Sequence, residues 1–348
     1  MEHSQFQGLT RGRLFITGHT GFKGSWLGLL ARELGIPTVG FSLTPEEDSL
    51  YQSLESSSVD ESIIGDVRNK EELTKAVTSS GATVLVHLAA QPLVLESYER
   101  PFETFETNVM GTYNVLEAAS QTPSIKTILI ITTDKVYRND NHGRRFIEDD
   151  ALEGSDPYSS SKVGAEAVSR AWQKMNESLQ GPKVIVARAG NVIGGGDLSR
   201  ARLIPDLVRG RVSHKAVGIR NRDATRPWQH VLDPLMGYLM YLERSLFETV
   251  PRALNFGPFE NSKSVSELLE ISKKFFPVEL HFNSRSEKAK EAIYLDLDSS
   301  LAKGSIGWSP KWNQEVAIEM TFNWWNKVLS QSESRLEMCK QDIHLYLN

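Results

Sequence analysis

Tyr158 and Lys162 lie four residues apart in Pro157-Tyr158-Ser159-Ser160-Ser161-Lys162. On a helix that spacing makes the two side chains neighbours on one face. A phenol ionises near pH 10, and a nearby ammonium brings that value toward neutrality. Such a pair can take the proton from an alcohol while the carbon that bears it is oxidised. A second reactive group, Thr133-Asp134-Lys135, closes the apolar run Thr127–Thr133 and delivers a hydroxyl, a carboxylate and an amine to one point.

Oxidation of an alcohol needs an acceptor, and the start of the chain has a place for one. Thr17-Gly18-His19-Thr20-Gly21-Phe22-Lys23-Gly24 joins an apolar run to a helical pattern. Gly18 permits a tight turn, Gly21 a close backbone approach to a pyrophosphate, and Gly24 close packing of helix on sheet. The helix N-terminus then offers N–H groups and partial positive charge. This is a dinucleotide cradle. Lys23 reads either as a solvated lysine or as a phosphate contact. After the second strand a carboxylate would favour NAD and an arginine NADP; Gly40-Phe41-Ser42-Leu43 has neither. Asp66-Val67 follows the third strand, where Asp66 either accepts from an adenine amino group or caps the next helix.

Apolar runs fall at Arg13–Thr17, Thr38–Leu43, Ser62–Gly65, Thr83–Ala89, Thr127–Thr133 and Lys183–Ala189. They are apolar through most of their length, as strands buried on both faces should be. Helical patterns separate them at Gly24–Leu34, Lys70–Ser79, Phe102–Ser120 and Ser159–Lys174. The alternation predicts an α/β fold: a Rossmann doubly wound parallel sheet with a smaller, mostly helical C-terminal substrate lobe. The expected division is a dinucleotide domain over 1–190, rejoined by 228–257, and a substrate lobe from 191–227 and 258–348. Within the latter parts, Arg202–Val208 and Leu232–Arg244 read as helices and Ala253–Phe256 as a strand.

Composition narrows the function classes. Lys and Arg number 39 against 44 Asp and Glu, a net charge of −5, so nucleic acid is not an expected partner. The one cysteine, Cys339, excludes a disulfide framework and fits a reducing cytoplasm; no cysteine or histidine is spaced around it for a metal site. Met1–Thr10 lacks a signal-peptide apolar core, and no apolar run reaches the roughly 20 residues that span a bilayer.

The chain resembles the extended short-chain dehydrogenase/reductases through its glycine triplet, Leu88-Ala89-Ala90-Gln91, Asn108 and Tyr158/Lys162. It is closer still to the CDP-glucose 4,6-dehydratases. Four stretches carry that likeness: Gly18 to Leu27, Thr133-Asp134-Lys135, Gly190 to Asp197, and Arg226-Pro227-Trp228-Gln229-His230-Val231. The resemblance implies NAD retained through the cycle and bound by Gly18, Thr20, Gly21, Phe22, Lys23, Gly24, Asp66, Val67, Ala89, Ala90, Gln91, Asn108, Tyr158 and Lys162. It implies that Tyr158 takes the C4 hydroxyl proton of a nucleotide-linked hexose and that Lys162 lowers its pKa. Thr133 would hold the C4 oxygen, Lys135 would remove the C5 proton and Asp134 would protonate the departing C6 hydroxyl. Lys135 acts as that base if burial or the Lys162 cation lowers its pKa from about 10.4; otherwise it is a cation beside the enolate, and Asp134 handles the proton. A 4-keto-6-deoxy sugar results. Asn191, Arg202, Arg226, His230 and Asn255 are the expected substrate contacts. Family members read Gln-Pro-Leu-Val-Arg where this chain has Gln91-Pro92-Leu93-Val94-Leu95, and Asn139–Phe146 lacks their tryptophans.

Two other readings share parts of this pattern. A nucleotide-sugar 4-epimerase or 4-reductase would keep Tyr158 and Lys162 without a use for Asp134-Lys135. A dinucleotide-sensing regulator would keep the glycines alone. The superfamily pairs through two helices, here Phe102–Ser120 and Ser159–Lys174, so a homodimer or homotetramer is expected.

Overall fold

The computed structural model describes residues 3–54, 58–141, 143–219, 221–282 and 294–348. Its central sheet has seven strands: β1 (Leu14–Thr17), β2 (Thr38–Ser42), β3 (Glu61–Ile64), β4 (Val84–His87), β5 (Thr127–Thr133), β6 (Lys183–Ala189) and β7 (Ala253–Phe256). Their order is β7-β6-β5-β4-β1-β2-β3, and every neighbouring pair is parallel. This is the doubly wound α/β sheet that the alternating pattern predicts. The order reverses between β1 and β4, which opens a crevice beyond their carboxyl ends.

All residues of β1, β2, β4 and β5 are buried. The edge strand β3 departs from the expected burial on both faces: it is largely exposed, and its Glu61 pairs with Arg13 at 2.9 Å. An edge strand has one neighbour and little cover, and a charge there discourages pairing with another chain.

The helices used below are α1 (Phe22–Glu33), α2 (Lys70–Ser79), α3 (Gly111–Ser120), α4 (Pro157–Leu179), α5 (Leu203–Ser213), α6 (Leu232–Phe247), α7 (Gln314–Leu329) and α8 (Arg335–Leu347). The single helix expected over Phe102–Ser120 is three pieces: Pro101–Phe105, a π-turn over Glu106–Met110, and α3. Asn108 sits inside the π-turn, a distortion frequent at functional sites. Beyond β6 the chain adds three short strand pairs: Val192–Ile193 with Gln229–His230, Thr225–Arg226 with Lys263–Ser264, and Val217–Ile219 with Leu280–Phe282. Strands of two or three residues are too short to show a period of two.

The apolar core covers both sheet faces. One side gathers Ile16, Leu129 and Ile185 with Trp26, Leu235, Trp324 and Ile343; the other gathers Phe15, Val39, Leu85, Val115 and Ile128. A glycine turn is wedged into the first. The Trp26 indole N–H donates to the Gly195 carbonyl at 3.0 Å, and a Cβ on Gly195 would lie 1.9 Å from the Trp324 ring. Gly196 then turns at φ +82°.

At the same core, His230 is enclosed between Trp26 and Trp312, with Asp342 of α8 3.9 Å from its Nε2. Burial lowers His230 to about 3 and raises Asp342 to about 8. The pair is therefore neutral at pH 7. The sign follows directly. Asp342 keeps its proton in the folded chain at pH values where the unfolded chain has released it, so it opposes folding increasingly as pH rises from about 4 to about 8. Asp342→Asn removes that dependence. In urea titrations, its stability relative to the parent is expected to improve between pH 5 and pH 8 by more than about 1 kcal/mol, the worth of roughly one pKa unit. An equal difference at both pH values would refute the assignment.

Candidate active site

The cradle lies at the carboxyl end of β1. Gly18 adopts φ +77°, and a Cβ there would meet the Ala89 amide nitrogen at 2.7 Å. A Cβ on Gly24 would sit 2.1 Å from the Gly18 carbonyl, so the first turn of α1 packs directly on the loop. Gly21 is the N-cap, and no side chain caps the helix. A Cβ on Gly21 would meet nothing nearer than 3.4 Å, so its face is open to a ligand. The end of β2, which lacks a carboxylate, is tied to the cradle by hydroxyls. Thr20 Oγ1 lies 2.7 Å from Ser42 Oγ and donates to the Leu43 carbonyl. His19 is buried over Gly40, edge-on to Tyr51, with Nε2 2.7 Å from Ser62 Oγ; burial lowers it to about 4.

Asp66 does not cap α2. Asn69 does, while Asp66 accepts from the backbone and guanidinium of Arg68. Val67 is buried in the core and its carbonyl accepts from Asn114. Asn108 grips Gln91 in both directions, accepting from its amide at 2.8 Å and donating to its carbonyl at 3.0 Å. Ala89 and Ala90 lie between this clamp and the cradle, at the mouth of the crevice.

Tyr158 is in the first turn of α4. Asp156 accepts from Ser159 N–H in a capping box, Pro157 opens the helix, and the Tyr158 amide donates to Ser97 Oγ at 3.1 Å. Burial raises the phenol to about 12, opposed first by the Arg202 guanidinium and then by a hydrogen bond with Thr133. The sequence points to Lys162 as the cation that lowers Tyr158; in the folded chain Arg202 is the cation that does so. Lys162 is itself buried, lowered to about 8, and donates to the Ile131 carbonyl at 3.2 Å.

At the end of β5, Asp134 is 1% exposed. Its Oδ1 accepts from Thr133 at 2.9 Å and lies 3.8 Å from Lys135 Nζ, while among the described residues its Oδ2 has no hydrogen-bond partner. Lys23 joins this group from the cradle. Burial and the charges of Arg202 and Lys162 lower it to about 7, against Asp134 and Asp197. Asp197 holds Arg202 at 3.2 Å. The structure thus brings Lys23, Thr133, Asp134, Lys135, Tyr158, Lys162 and Arg202 together.

Other expected contacts fall elsewhere. His230 is walled in by tryptophans, as described. Asn255 is fully buried and its side chain is committed to Tyr137, the Phe146 carbonyl and the Asp298 carbonyl. Both are structural because every polar approach to them is closed. Arg226 lies in a short strand pair and donates to the Thr225 carbonyl at 2.8 Å. Asn191 is half-buried, its carbonyl accepting from the Gln229 amide. Two participants were not foreseen. Asp197 carried a signal, a carboxylate before an arginine-rich stretch; Ser97 carried none.

The NAD dependent epimerase/dehydratase family model matches residues 14–257. A CDP-glucose 4,6-dehydratase of Salmonella typhimurium is 38% identical over 97% of this chain and 96% of its own length. A CDP-paratose 2-epimerase of Salmonella typhi is 26% identical over 91% of this chain and 100% of its own. Among solved structures, a UDP-glucose 4-epimerase of Stenotrophomonas maltophila with bound NAD has a TM-score of 0.81 at 19% identity, covering 92% of this chain and 100% of that one. A dTDP-glucose 4,6-dehydratase of Bacillus anthracis in complex with NAD has a TM-score of 0.76 at 24% identity, over 91% and 97%. These two share the fold.

Lys23 gives a pH test of the cradle. It is charged below about pH 7 and neutral above, and an anionic dinucleotide favours the charged form. Cofactor affinity, measured by calorimetry on stripped protein, is expected to fall between pH 6 and pH 8.5. Lys23→Met should flatten that slope and weaken binding at pH 6 by roughly tenfold, the worth of one charge-assisted hydrogen bond. An unchanged slope would show that Lys23 makes no phosphate contact.

Proposed function

The chain belongs to the NAD-dependent epimerase/dehydratase family, and from that premise we propose that it removes water across C5 and C6 of CDP-glucose, leaving CDP-4-keto-6-deoxyglucose. The observation that carries this reading is Asp134, a buried carboxyl beside Lys135 and next to the Tyr158 phenol, whose Oδ2 has no hydrogen-bond partner among the described residues. A 4-epimerase or 4-reductase has no step that needs such a group. The relative of 38% identity, itself a CDP-glucose 4,6-dehydratase, supports the choice of base and hexose.

The cradle fits NAD. Its glycines leave room for a pyrophosphate, its helix is uncapped, and Lys23 faces inward. Gly18, Thr20, Gly21, Phe22, Lys23 and Gly24 would hold the pyrophosphate. Asp66 and Val67 would lie at the adenine end, and Ala89, Ala90, Gln91 and Asn108 along the way to the nicotinamide. Lys162 would hold the nicotinamide ribose. Bound there, NAD supplies transient oxidation at C4 and the matching reduction at C6.

The protein's own groups do the rest. Tyr158 accepts the C4 hydroxyl proton, and Thr133 hydrogen-bonds the C4 oxygen. The ketone at C4 acidifies C5, whose proton Lys135 removes and gives back to C5 as C6 is reduced. Asp134 delivers a proton to the C6 oxygen as the C6–O bond breaks, so one water leaves. Arg202, Arg226 and Asn191 would take the diphosphate side; guanidinium forks suit that geometry.

A second copy of the chain would cover the exposed Phe102, Phe105 and Met110 with Met175 of α4, as a homodimer or homotetramer. Cytoplasm is the proposed location. Among the described residues no helix is long and apolar enough to cross a membrane, and Cys339 is a buried thiol.

Incubation with a panel of nucleotide-linked glucoses should yield a product lighter by one water, read by mass spectrometry, with the CDP compound preferred. Loss of no water from any of them would defeat the assignment. Tyr158→Phe should lower turnover by about 10²–10⁴-fold, as loss of a general base does, with the fold intact; near-parent turnover would refute its role. Lys135→Ala separates the two halves of the reaction. This variant should still bind substrate and form NADH absorbance, yet stall before water loss, with slowed hydrogen exchange at C5 in deuterated water. Lys135→Met controls for altered charge around Lys162. If both Lys135 variants make the 6-deoxy product at close to the parent rate, Lys135 is a bystander.

A further inference from the structure

His87 takes no part in this chemistry, yet it is buried at the carboxyl end of β4, beside the point where the strand order reverses. Its ring bridges two elements. Thr17 Oγ1, at the end of β1, lies 2.7 Å from Nδ1, and Thr112 Oγ1, in the first turn of α3, lies 3.1 Å from Nε2. Accounting for the protons fixes the tautomer. The Thr112 hydroxyl donates to the Asn108 carbonyl at 2.7 Å, so its oxygen receives Nε2–H. Nδ1 is then a lone pair that receives the Thr17 hydroxyl proton. Thr17 Oγ1 in turn accepts the Ala89 amide at 3.3 Å.

The chain of bonds continues past Asn108. While its side chain clamps Gln91, its Nδ2 also donates to Ser161 Oγ at 2.8 Å. Ser161 Oγ donates to the Tyr158 carbonyl at 2.7 Å. Thr17, His87, Thr112, Asn108 and Ser161 are each at most 3% exposed, so no water competes for these links. Burial, with Lys162 adding to it, keeps the ring neutral at about 3, and the tautomer persists at working pH. In a low-dielectric interior such a network holds one geometry because any broken link leaves a buried group unsatisfied.

We propose that His87 is a positioning residue for Tyr158, acting through Thr112, Asn108 and Ser161. The proposal rests on the role given to Tyr158 above. One imidazole fixes the end of the strand that leads into the cradle and, through three further residues, the first turn of the helix that carries the phenol. The cofactor site and the base are thereby set in a common frame.

Two substitutions divide the ring's functions. His87→Asn places an amide oxygen near the Nδ1 position, keeping the Thr17 link and losing the donor to Thr112. His87→Gln places an amide N–H near the Nε2 position, keeping the Thr112 link and losing the acceptor for Thr17. The Asn variant is expected to lose turnover by at least about tenfold, since small misplacements of reacting groups are costly, with KM and retained NAD near parent values. The Gln variant should stay within about threefold of the parent. The pH profile adds a readout that mere packing would not move. Displacing Tyr158 from Thr133 and Arg202 removes the two influences that lower its pKa, so the rising limb of turnover should shift to higher pH in His87→Asn and not in His87→Gln. Thr112→Val, which cuts the same link without touching the ring, should reproduce the Asn result if the ring variants fold poorly. Equal turnover and equal pH midpoints in the Asn and Gln variants, or a Thr112→Val enzyme with the parent's profile, would overturn the proposal. Tyr158→Phe, measured alongside, separates the two failures. A fully active Tyr158→Phe removes the premise, whereas an inactive one with indistinguishable His87 variants overturns the role of His87 alone.

Discussion

Three cations, Lys23, Lys162 and Arg202, are held around one buried phenol, and most of the site follows from keeping them there. Burial lowers both lysines, to about 7 and about 8, and for Lys23 the charges of Arg202 and Lys162 add to the effect. Asp134 and Asp197 offset part of the repulsion. The remaining positive charge suits a site that takes anionic ligands, and a dinucleotide and a sugar nucleotide each bring a diphosphate.

This arrangement demands that groups from distant parts of the chain arrive together. Lys23 comes from α1, Asp134 from the turn that follows β5, Tyr158 and Lys162 from α4, and Arg202 from the segment after β6. A parallel sheet achieves this because all its carboxyl ends face one way. The π-turn at Glu106–Met110 and the capping box at Asp156 are local devices that set the last ångström. Neither alters the architecture, and both act on residues next to the phenol.

The sheet and the reactive residues were legible because their signals are local. β5 is an unbroken apolar run ending in Thr133-Asp134-Lys135, and a glycine triplet follows β1. Tyr158 and Lys162 are one helical turn apart. What the sequence concealed depends on packing between distant segments. His230 and Asn255 look like available polar groups until Trp26, Trp312, Tyr137 and Phe146 close around them. Arg202 reads as a diphosphate ligand, but only the folded chain sets it against Tyr158. The break in the 102–120 helix also escaped notice, because a π-turn adds one residue without disturbing the apolar pattern on either side.

The glycine turn at 194–196 has a bearing on how the chain assembles. Trp26 is fixed by the Gly195 carbonyl, and the turn is closed from the other side by Trp324. α8 then lies against α1, with Arg335 donating to the Asp48 carbonyl. The helix that follows the cradle is therefore sheathed by segments made roughly 170 to 300 residues later. At about 5–20 residues per second of synthesis, its apolar flank stays bare for many seconds to a minute. During that interval the nascent β1–α1 unit keeps apolar surface in water, and its final compaction belongs to the period after α8 has left the ribosome.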